Sequence, residues 1–204
     1  MQGLRILPQA YDAAEQAELL DAVVAVIRAA PLYTPTMPRS GKPLSVAMTN
    51  CGPLGWVTDR DGGYRYQDRH PETGRPWPAI PEPLLALWER LGGGPAPDAC
   101  LVNYYRPGAR MGLHRDEDER DFSAPVVSVS LGDRCLFRLG GLSRSDPTRS
   151  FRLASGDVVV LGGEARLAYH GVDRIHAGTS RLLGRHPDLF ADGGRVNLTL
   201  RRAR

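Results

Sequence analysis

The sequence predicts a mainly β domain, either an antiparallel sandwich or a jelly roll, flanked by two helices. The chain has 204 residues with 23 glycines and 17 prolines, which favours many turns over a helical bundle. Its second half holds five short β-rich segments bounded by glycine or proline, with no helix-length pattern between them. A parallel, doubly wound sheet is therefore excluded, because its strands need helical crossovers.

Both helices are predicted in the first half. Over 12–30, apolar residues recur at helical spacing, Asp12 can cap the first turn, and Glu15 can bond back to Asp12. The second helix begins after Pro81, and the glycine run 92–94 ends it.

The five predicted strands are 100–105, 126–131, 135–139, 157–161 and 195–201. The preceding stretch 52–83 is rich in glycine, proline, aromatic residues and arginine, so it predicts a functional cover rather than core. We expect one domain over 1–204, in which 1–97 forms a helical support and cover, and 98–204 forms the β core.

Composition indicates a cytoplasmic protein without a membrane anchor. The N-terminus has no signal pattern, and no apolar run approaches the roughly 20 residues of a membrane span. Cys51, Cys100 and Cys135 are odd in number and far apart, which predicts buried thiols rather than a zinc site or disulfides. A net charge of +3 is too small to indicate a nucleic-acid partner.

A metal-ligand pattern links two separated segments. His114 and Asp116 are spaced i, i+2, which puts both side chains on one face of a strand, and His170 follows 56 positions after His114. Two histidines and one carboxylate can hold ferrous iron and leave coordination positions open. A His-X-Asp triplet alone is common by chance, so the residues around it carry the interpretation.

Two strands offer polar faces to the same site. Along 195–201, the residues at odd positions are polar and those at even positions are apolar, which is typical either of a solvated face or of a polar face inside a barrel. In the second case, Arg195 and Arg201 could clamp the two ends of a dicarboxylate, because a guanidinium binds a carboxylate in two places. Asn103 and Tyr105 share a strand face and could complete that pocket.

The ordered series of motifs resembles the AlkB family of Fe(II)/2-oxoglutarate-dependent dioxygenases over about 44–201. The matching stretches are 45–52, 54–56, 76–78, 103–105, 114–119, 124–132, 156–159, 162–164, 169–171 and 195–201. The resemblance implies a double-stranded β-helix (jelly-roll) core with an N-terminal helical and nucleotide-recognition cover.

Site residues follow from the same resemblance. It implies Fe(II) on His114, Asp116 and His170, and 2-oxoglutarate contacts by Asn103, Tyr105, Arg195, Asn197 and Arg201. It implies that Arg201 anchors the far carboxylate and that Arg195 lies nearer the metal. On the substrate side, it implies stacking by Trp56, a lining from Met48, Tyr64 and Tyr66, a carboxylate from Asp118, and an arginine from Arg144.

The implied activity is oxidative demethylation of alkylated nucleobases such as N1-methyladenine and N3-methylcytosine. Dioxygen and 2-oxoglutarate are the co-substrates, and formaldehyde and succinate are released. The expected partner is alkylated single- or double-stranded DNA, with RNA as a second candidate, bound by a monomer. A 2-oxoglutarate-dependent hydroxylase of a protein or small molecule is the main alternative. A zinc hydrolase would not need Arg195 and Arg201, and a silent nucleic-acid-binding jelly roll would not need the triad.

Overall fold

Two antiparallel sheets and a hairpin form the β framework in the computed structural model, which describes residues 2–91 and 94–204. The strands are β1 (Leu4–Leu7), β2 (Ala47–Cys51), β3 (Gly55–Asp59), β4 (Gly63–Gln67), β5 (Ala99–Tyr105), β6 (Met111–His114), β7 (Val126–Gly132), β8 (Arg134–Leu139), β9 (Arg149–Leu153), β10 (Val158–Leu161), β11 (His170–His176) and β12 (Arg195–Arg201). The major sheet has the order β1-β10-β7-β12-β5-β2, the minor sheet the order β6-β11-β8-β9, and β3 pairs with β4. This arrangement confirms the predicted jelly-roll fold.

The helices are α1 (Ala13–Ala29) and α2 (Glu82–Leu91). Asp12 caps α1 with its side chain, and Glu15 bonds back to the Asp12 backbone, as the sequence predicts. Leu19 and Leu20 of α1 are fully buried in a core shared with α2 and the major sheet. Burying a leucine stabilises a fold by roughly 1.5–3 kcal/mol, so this face of the helix holds α1 against the sheet. The predicted stop at 92–94 falls partly outside the described residues.

A second core lies between the two sheets. Phe137 and Leu139 of β8 meet Val159 and Leu161 of β10 there. The three cysteines are buried and free, as predicted. In the described part of the chain, no helix is long and apolar enough to span a membrane.

The first 97 residues contribute more than a cover. Strands β1 and β2 form the two edges of the major sheet, while the hairpin β3–β4 lies within the predicted cover stretch. Neither edge strand was predicted, and neither were β9 and β11; near β6, only a strand through His114 and Asp116 was expected. Strand β9 alternates only at its end, with Phe151 and Leu153, and its other three residues are polar and exposed.

Candidate active site

Strands β6 and β11 bring the two predicted histidine ligands side by side. His114 and His170 are paired in register across these strands, and their ring centroids lie 4.5 Å apart. Gly171 permits this approach, since a Cβ at that position would lie 2.6 Å from the carbonyl oxygen of Met111. The glycine after His170 is thus required by the close packing of the two strands.

Asp116 completes the triad from beyond the end of β6, not from the strand itself. The expectation that His114 and Asp116 share a strand face is wrong, because β6 ends at His114 and Asp116 lies in the irregular segment that follows. The Asp116 Oδ1 atom lies 3.7 Å from His114 Nε2, and Oδ2 lies 3.6 Å from His170 Nε2. Donor atoms of all three residues lie within 4.8 Å of one another.

Hydrogen bonds and charge prepare these donors for a metal. The Nδ1 atom of His114 is 2.9 Å from the Gly112 carbonyl, and that of His170 is 3.0 Å from the Ala168 carbonyl. Such contacts make Nδ1 the protonated atom and leave the Nε2 lone pair facing the site. Burial and the nearby His114 lower the pKa of His170 to about 4, which keeps the ring neutral.

The carboxylate of Asp116 is ionised although it is buried. Burial alone would raise its pKa, but Arg201 and the two histidines hold the pKa well below its usual range. Its Oδ2 atom is buried without a hydrogen-bond partner among the described residues. Two imidazole Nε2 atoms that face the site and one aspartate oxygen with no other partner form a donor set that fits ferrous iron.

A cavity of about 820 Å³ opens over the triad, between the sheets and the cover. Its walls include Asn103 and Tyr105 of β5 and the whole polar face of β12. All seven residues of β12 are buried, so this face lies inside the barrel and is not solvated. The Asn197 amide donates to Ser128 Oγ at 2.7 Å and to the Val129 carbonyl at 3.0 Å, which fixes its orientation.

The two arginines of β12 occupy opposite ends from those expected. Arg201 lies at the metal end, where its Nη2 atom is 2.8 Å from Asp116 Oδ1. Arg195 lies six residues away at the other end of the strand, where Nη2 donates to Ser130 Oγ at 2.8 Å and the guanidinium lies 5.5 Å from the centre of the Tyr105 ring. The assignment of Arg201 to the far carboxylate is therefore wrong. Sequence spacing gives the shared face of the strand but not which end points to the metal.

Arg195 has the character of an anion-binding side chain. It is 1% exposed, and its Nε and Nη1 atoms have no hydrogen-bond partner in the described part of the chain. A buried guanidinium is costly unless its donors are satisfied. The neighbouring Tyr105 hydroxyl stays protonated, because burial raises its pKa to about 12.

Five of the six residues predicted for the substrate side line the cavity. The Trp56 and Tyr64 rings stack at 5.7 Å, and Trp56 Nε1 donates to Asp118 Oδ2 at 2.7 Å. Burial raises the pKa of Asp118. Met48 and Arg144 also line the cavity, and the Arg144 side chain is held by a 2.8 Å hydrogen bond to the Leu113 carbonyl.

Tyr66 does not line this cavity, although its strand neighbour Tyr64 does. The Tyr66 side chain lies against the buried charges behind the metal site, where its hydroxyl donates to Glu119 Oε1 at 2.6 Å. Its placement on the substrate side is a wrong prediction. In the hairpin, Tyr66 pairs with Trp56, and Tyr64 pairs with Thr58, nearer the tip.

Two buried charged residues behind the site were not predicted. Glu119 lies inside the matched stretch 114–119, and Arg166 precedes His170 by four positions. Arg166 had a visible signal, because it is a lone charge among Ala165, Leu167 and Ala168. His176 and His186, which could have competed as ligands, lie outside the triad, and His186 bonds to Asp21 instead.

Comparisons with known proteins agree with this geometry. A family model described as the 2OG-Fe(II) oxygenase superfamily matches residues 3–201. The chain is 56% identical over 203 residues to an alpha-ketoglutarate-dependent dioxygenase AlkB homolog of Caulobacter vibrioides, covering 99% of this chain and 88% of that protein. The chain belongs to the AlkB family of 2OG-Fe(II) oxygenases.

Other AlkB-family relatives extend the comparison. The chain is 48% identical over 82 residues to the DNA N(6)-methyladenine demethylase ALKBH1A of Arabidopsis thaliana, covering 40% of this chain and 24% of that protein. The solved structure of OsALKBH1 superposes with a TM-score of 0.81 at 31% identity, covering 98% of this chain and 96% of that one. The cofactor prediction is confirmed: this is an Fe(II)/2-oxoglutarate-dependent dioxygenase with a His114–Asp116–His170 metal site.

Proposed function

We propose that this dioxygenase removes methyl groups from ring nitrogens of alkylated nucleobases in DNA. The observation that carries the proposal is one cavity with three zones. The metal-binding triad lies at its floor, a buried arginine lies at its inner end, and stacked aromatic rings lie at its mouth. Its 820 Å³ suits a small dicarboxylate together with one nucleobase, because ordinary ligand pockets measure about 300–1,000 Å³.

The inner end of the cavity fits 2-oxoglutarate. The Arg195 donors without partners would bind the far carboxylate, with the Tyr105 hydroxyl beside them. Arg201 would face the carboxylate that lies next to the metal, since its guanidinium already contacts Asp116. Asn103 and Asn197 would border the bound molecule between these ends. The chain thereby fixes both ends of the co-substrate by charge-assisted hydrogen bonds.

The mouth fits a cationic aromatic base. Trp56 offers a π face, and a methylated cationic base gains roughly 0.5–2 kcal/mol from such a contact. The Asp118 carboxylate, held by the Trp56 indole, would accept a hydrogen bond from the exocyclic amine. An unmodified base carries no positive charge and gains less from both groups. Met48 and Tyr64 would border the base, and Arg144 would meet the phosphate backbone.

His114, Asp116 and His170 would hold the iron, which would supply the oxidising chemistry when bound. Of the two atoms of dioxygen, one would enter 2-oxoglutarate as it is converted to carbon dioxide and succinate, and the other would enter the N-methyl group. The resulting hydroxymethyl group leaves the ring nitrogen as formaldehyde, and the base is restored. The protein keeps the methyl group at the cavity floor and the base stacked at the mouth. A base inside a duplex must first leave the stack, which favours single-stranded DNA as the substrate.

The test is formaldehyde release from an oligonucleotide that contains N1-methyladenine or N3-methylcytosine, with Fe(II), ascorbate and 2-oxoglutarate. We expect one formaldehyde per succinate, and more turnover on single-stranded DNA than on a duplex of the same sequence, because a base in a duplex must first leave the stack. His114→Ala should abolish both products. Succinate without formaldehyde, appearing only with a protein or small molecule, would support the alternative hydroxylase instead. We further propose that the protein is a cytoplasmic monomer in which 1–204 acts as one domain. Its molar mass in solution, measured by light scattering, would check the monomeric state.

A further inference from the structure

An irregular segment carries several of the groups that the active site needs. Residues 115–125, between β6 and β7, contain no helix or strand. Yet this segment supplies the metal ligand Asp116, the mouth carboxylate of Asp118, and the buried Glu119. With no sheet pairing along it, its shape depends on contacts from elsewhere in the chain. One is a backbone hydrogen bond from Arg120 N–H to the Ala203 carbonyl at 3.1 Å, and the others are made by side chains.

Arg166 provides such contacts from one buried position. It lies on the 3₁₀ turn Gly163–Leu167 and is 2% exposed. Its Nη1 atom donates to the Asp116 carbonyl at 2.8 Å, and Nε donates to the Ala124 carbonyl at 3.0 Å. The guanidinium also lies 5.3 Å from the centre of the Phe122 ring. One side chain therefore holds both ends of the segment.

Glu119 connects Arg166 to the second guanidinium at the metal. Its Oε2 atom is 3.2 Å from Arg166 Nη2, and its Oε1 atom is 2.9 Å from Arg201 Nη1. Arg201 in turn is ion-paired with the Asp116 carboxylate at 2.8 Å. Two buried guanidinium groups and two buried carboxylates thus form a chain of ion pairs from Arg166 through Glu119 and Arg201 to Asp116, and their charges cancel. The hydrogen bond from Arg166 to the Asp116 carbonyl joins the two ends of this chain.

We propose that Arg166 is a positioning residue for the metal centre. It joins the segment that presents Asp116 to the turn that leads directly into His170, so that the two ligands keep one spacing. Arginine suits the role because its planar fork carries five donors, whereas a lysine ammonium is a single point charge. The inference rests on the family's metal site and not on the nucleic-acid substrate.

Manganese affinity without substrate tests this role, with free Mn(II) measured by its electron paramagnetic resonance signal. We expect Arg166→Ala to weaken Mn(II) binding by about 10–100-fold, the usual effect of losing a group that orients a ligand. Arg166→Lys keeps the charge but not the fork, and should fold normally and bind Mn(II) at least fivefold more weakly than the wild type. Millimolar guanidinium should restore binding by Arg166→Ala, whereas ammonium should not. Arg152→Ala, at an exposed arginine of β9, is the matched control and should bind like the wild type.

Mn(II) affinity within twofold of the wild type in a folded Arg166→Ala variant would overturn the proposal. So would unfolding of both variants at saturating Mn(II), because a general structural role would then account for Arg166. The measurement contains no oligonucleotide, so a failure here stays distinct from a failure of the demethylation assay.

Discussion

Arg195 and Arg201 lie on the same face of β12, but their surroundings predict opposite effects of the same substitution. Arg195 is buried with two nitrogens lacking partners among the described residues, whereas Arg201 is ion-paired with Asp116 and Glu119. Replacing either arginine with methionine removes the charge and keeps much of the volume. The pair of variants therefore separates binding of the co-substrate from stability of the protein.

The expected magnitudes follow from those contacts. Loss of two charge-assisted hydrogen bonds, each contributing about 1.5 kcal/mol or more, should weaken 2-oxoglutarate binding by Arg195→Met roughly 100-fold. The metal-free protein should keep or gain stability, because an incompletely satisfied buried charge has been removed. Arg201→Met leaves Asp116 without its closest cation and should destabilise the metal-free protein by about 3–5 kcal/mol.

Calorimetric titration of 2-oxoglutarate into Mn(II)-loaded protein measures the binding, and urea denaturation of the metal-free protein measures the stability. Each variant is the control for the other. Binding of 2-oxoglutarate by Arg195→Met within threefold of the wild type would refute the role of Arg195 in co-substrate binding. Equal losses of stability in both variants would contradict the distinction between the two arginines, since loss of a buried charge alone would then explain both results.

Three further substitutions test the mouth of the cavity and its support. Trp56→Phe keeps a π face but loses the indole donor to Asp118. The KM for a methylated oligonucleotide should therefore rise about 2–10-fold, while the KM for 2-oxoglutarate should not change. Equal changes in both KM values would contradict a substrate-side role for Trp56. Tyr66→Phe should leave the oligonucleotide KM unchanged, because the Tyr66 hydroxyl donates to Glu119 and does not face the cavity. It should lower the free energy of unfolding, measured by urea denaturation, by about 1–2 kcal/mol. The Asn50 side chain bonds both the backbone N–H and the carbonyl of Trp56 at 3.0 Å. Asn50→Ala should therefore lower the free energy of unfolding by about 1–3 kcal/mol and raise the oligonucleotide KM. A normal KM in the folded variant would show that the indole keeps its place without Asn50.

Sequence patterns predicted the helices and strands that are determined by residues close together in the chain. The capping box of Asp12 and Glu15 starts α1 as expected, and the alternation along 195–201 gives the bounds of β12. Edge strand β1 has only four residues, and β9 is largely polar, so neither carries a periodic signal strong enough to predict it.

The site was predictable in its residue types more than in its geometry. His114, Asp116 and His170 converge as expected, but Asp116 reaches the site from an irregular segment and not from a strand. The direction of Arg195 and Arg201 relative to the metal depends on how β12 lies in the sheet, which spacing cannot give. The apolar neighbours of Arg166 indicate its burial, but no local pattern reports its contact with Glu119, which is 47 residues away in the chain.

Metal stoichiometry tests the central claim most directly, which is that His114, Asp116 and His170 hold a single iron that supports turnover. Purified protein titrated anaerobically with Fe(II) should bind one equivalent and, after addition of 2-oxoglutarate, oxygen and methylated oligonucleotide, release formaldehyde in proportion to bound iron. His170→Ala should bind no iron at the same protein concentration and release no formaldehyde. Full iron binding and turnover by His170→Ala would contradict the assignment of the metal site.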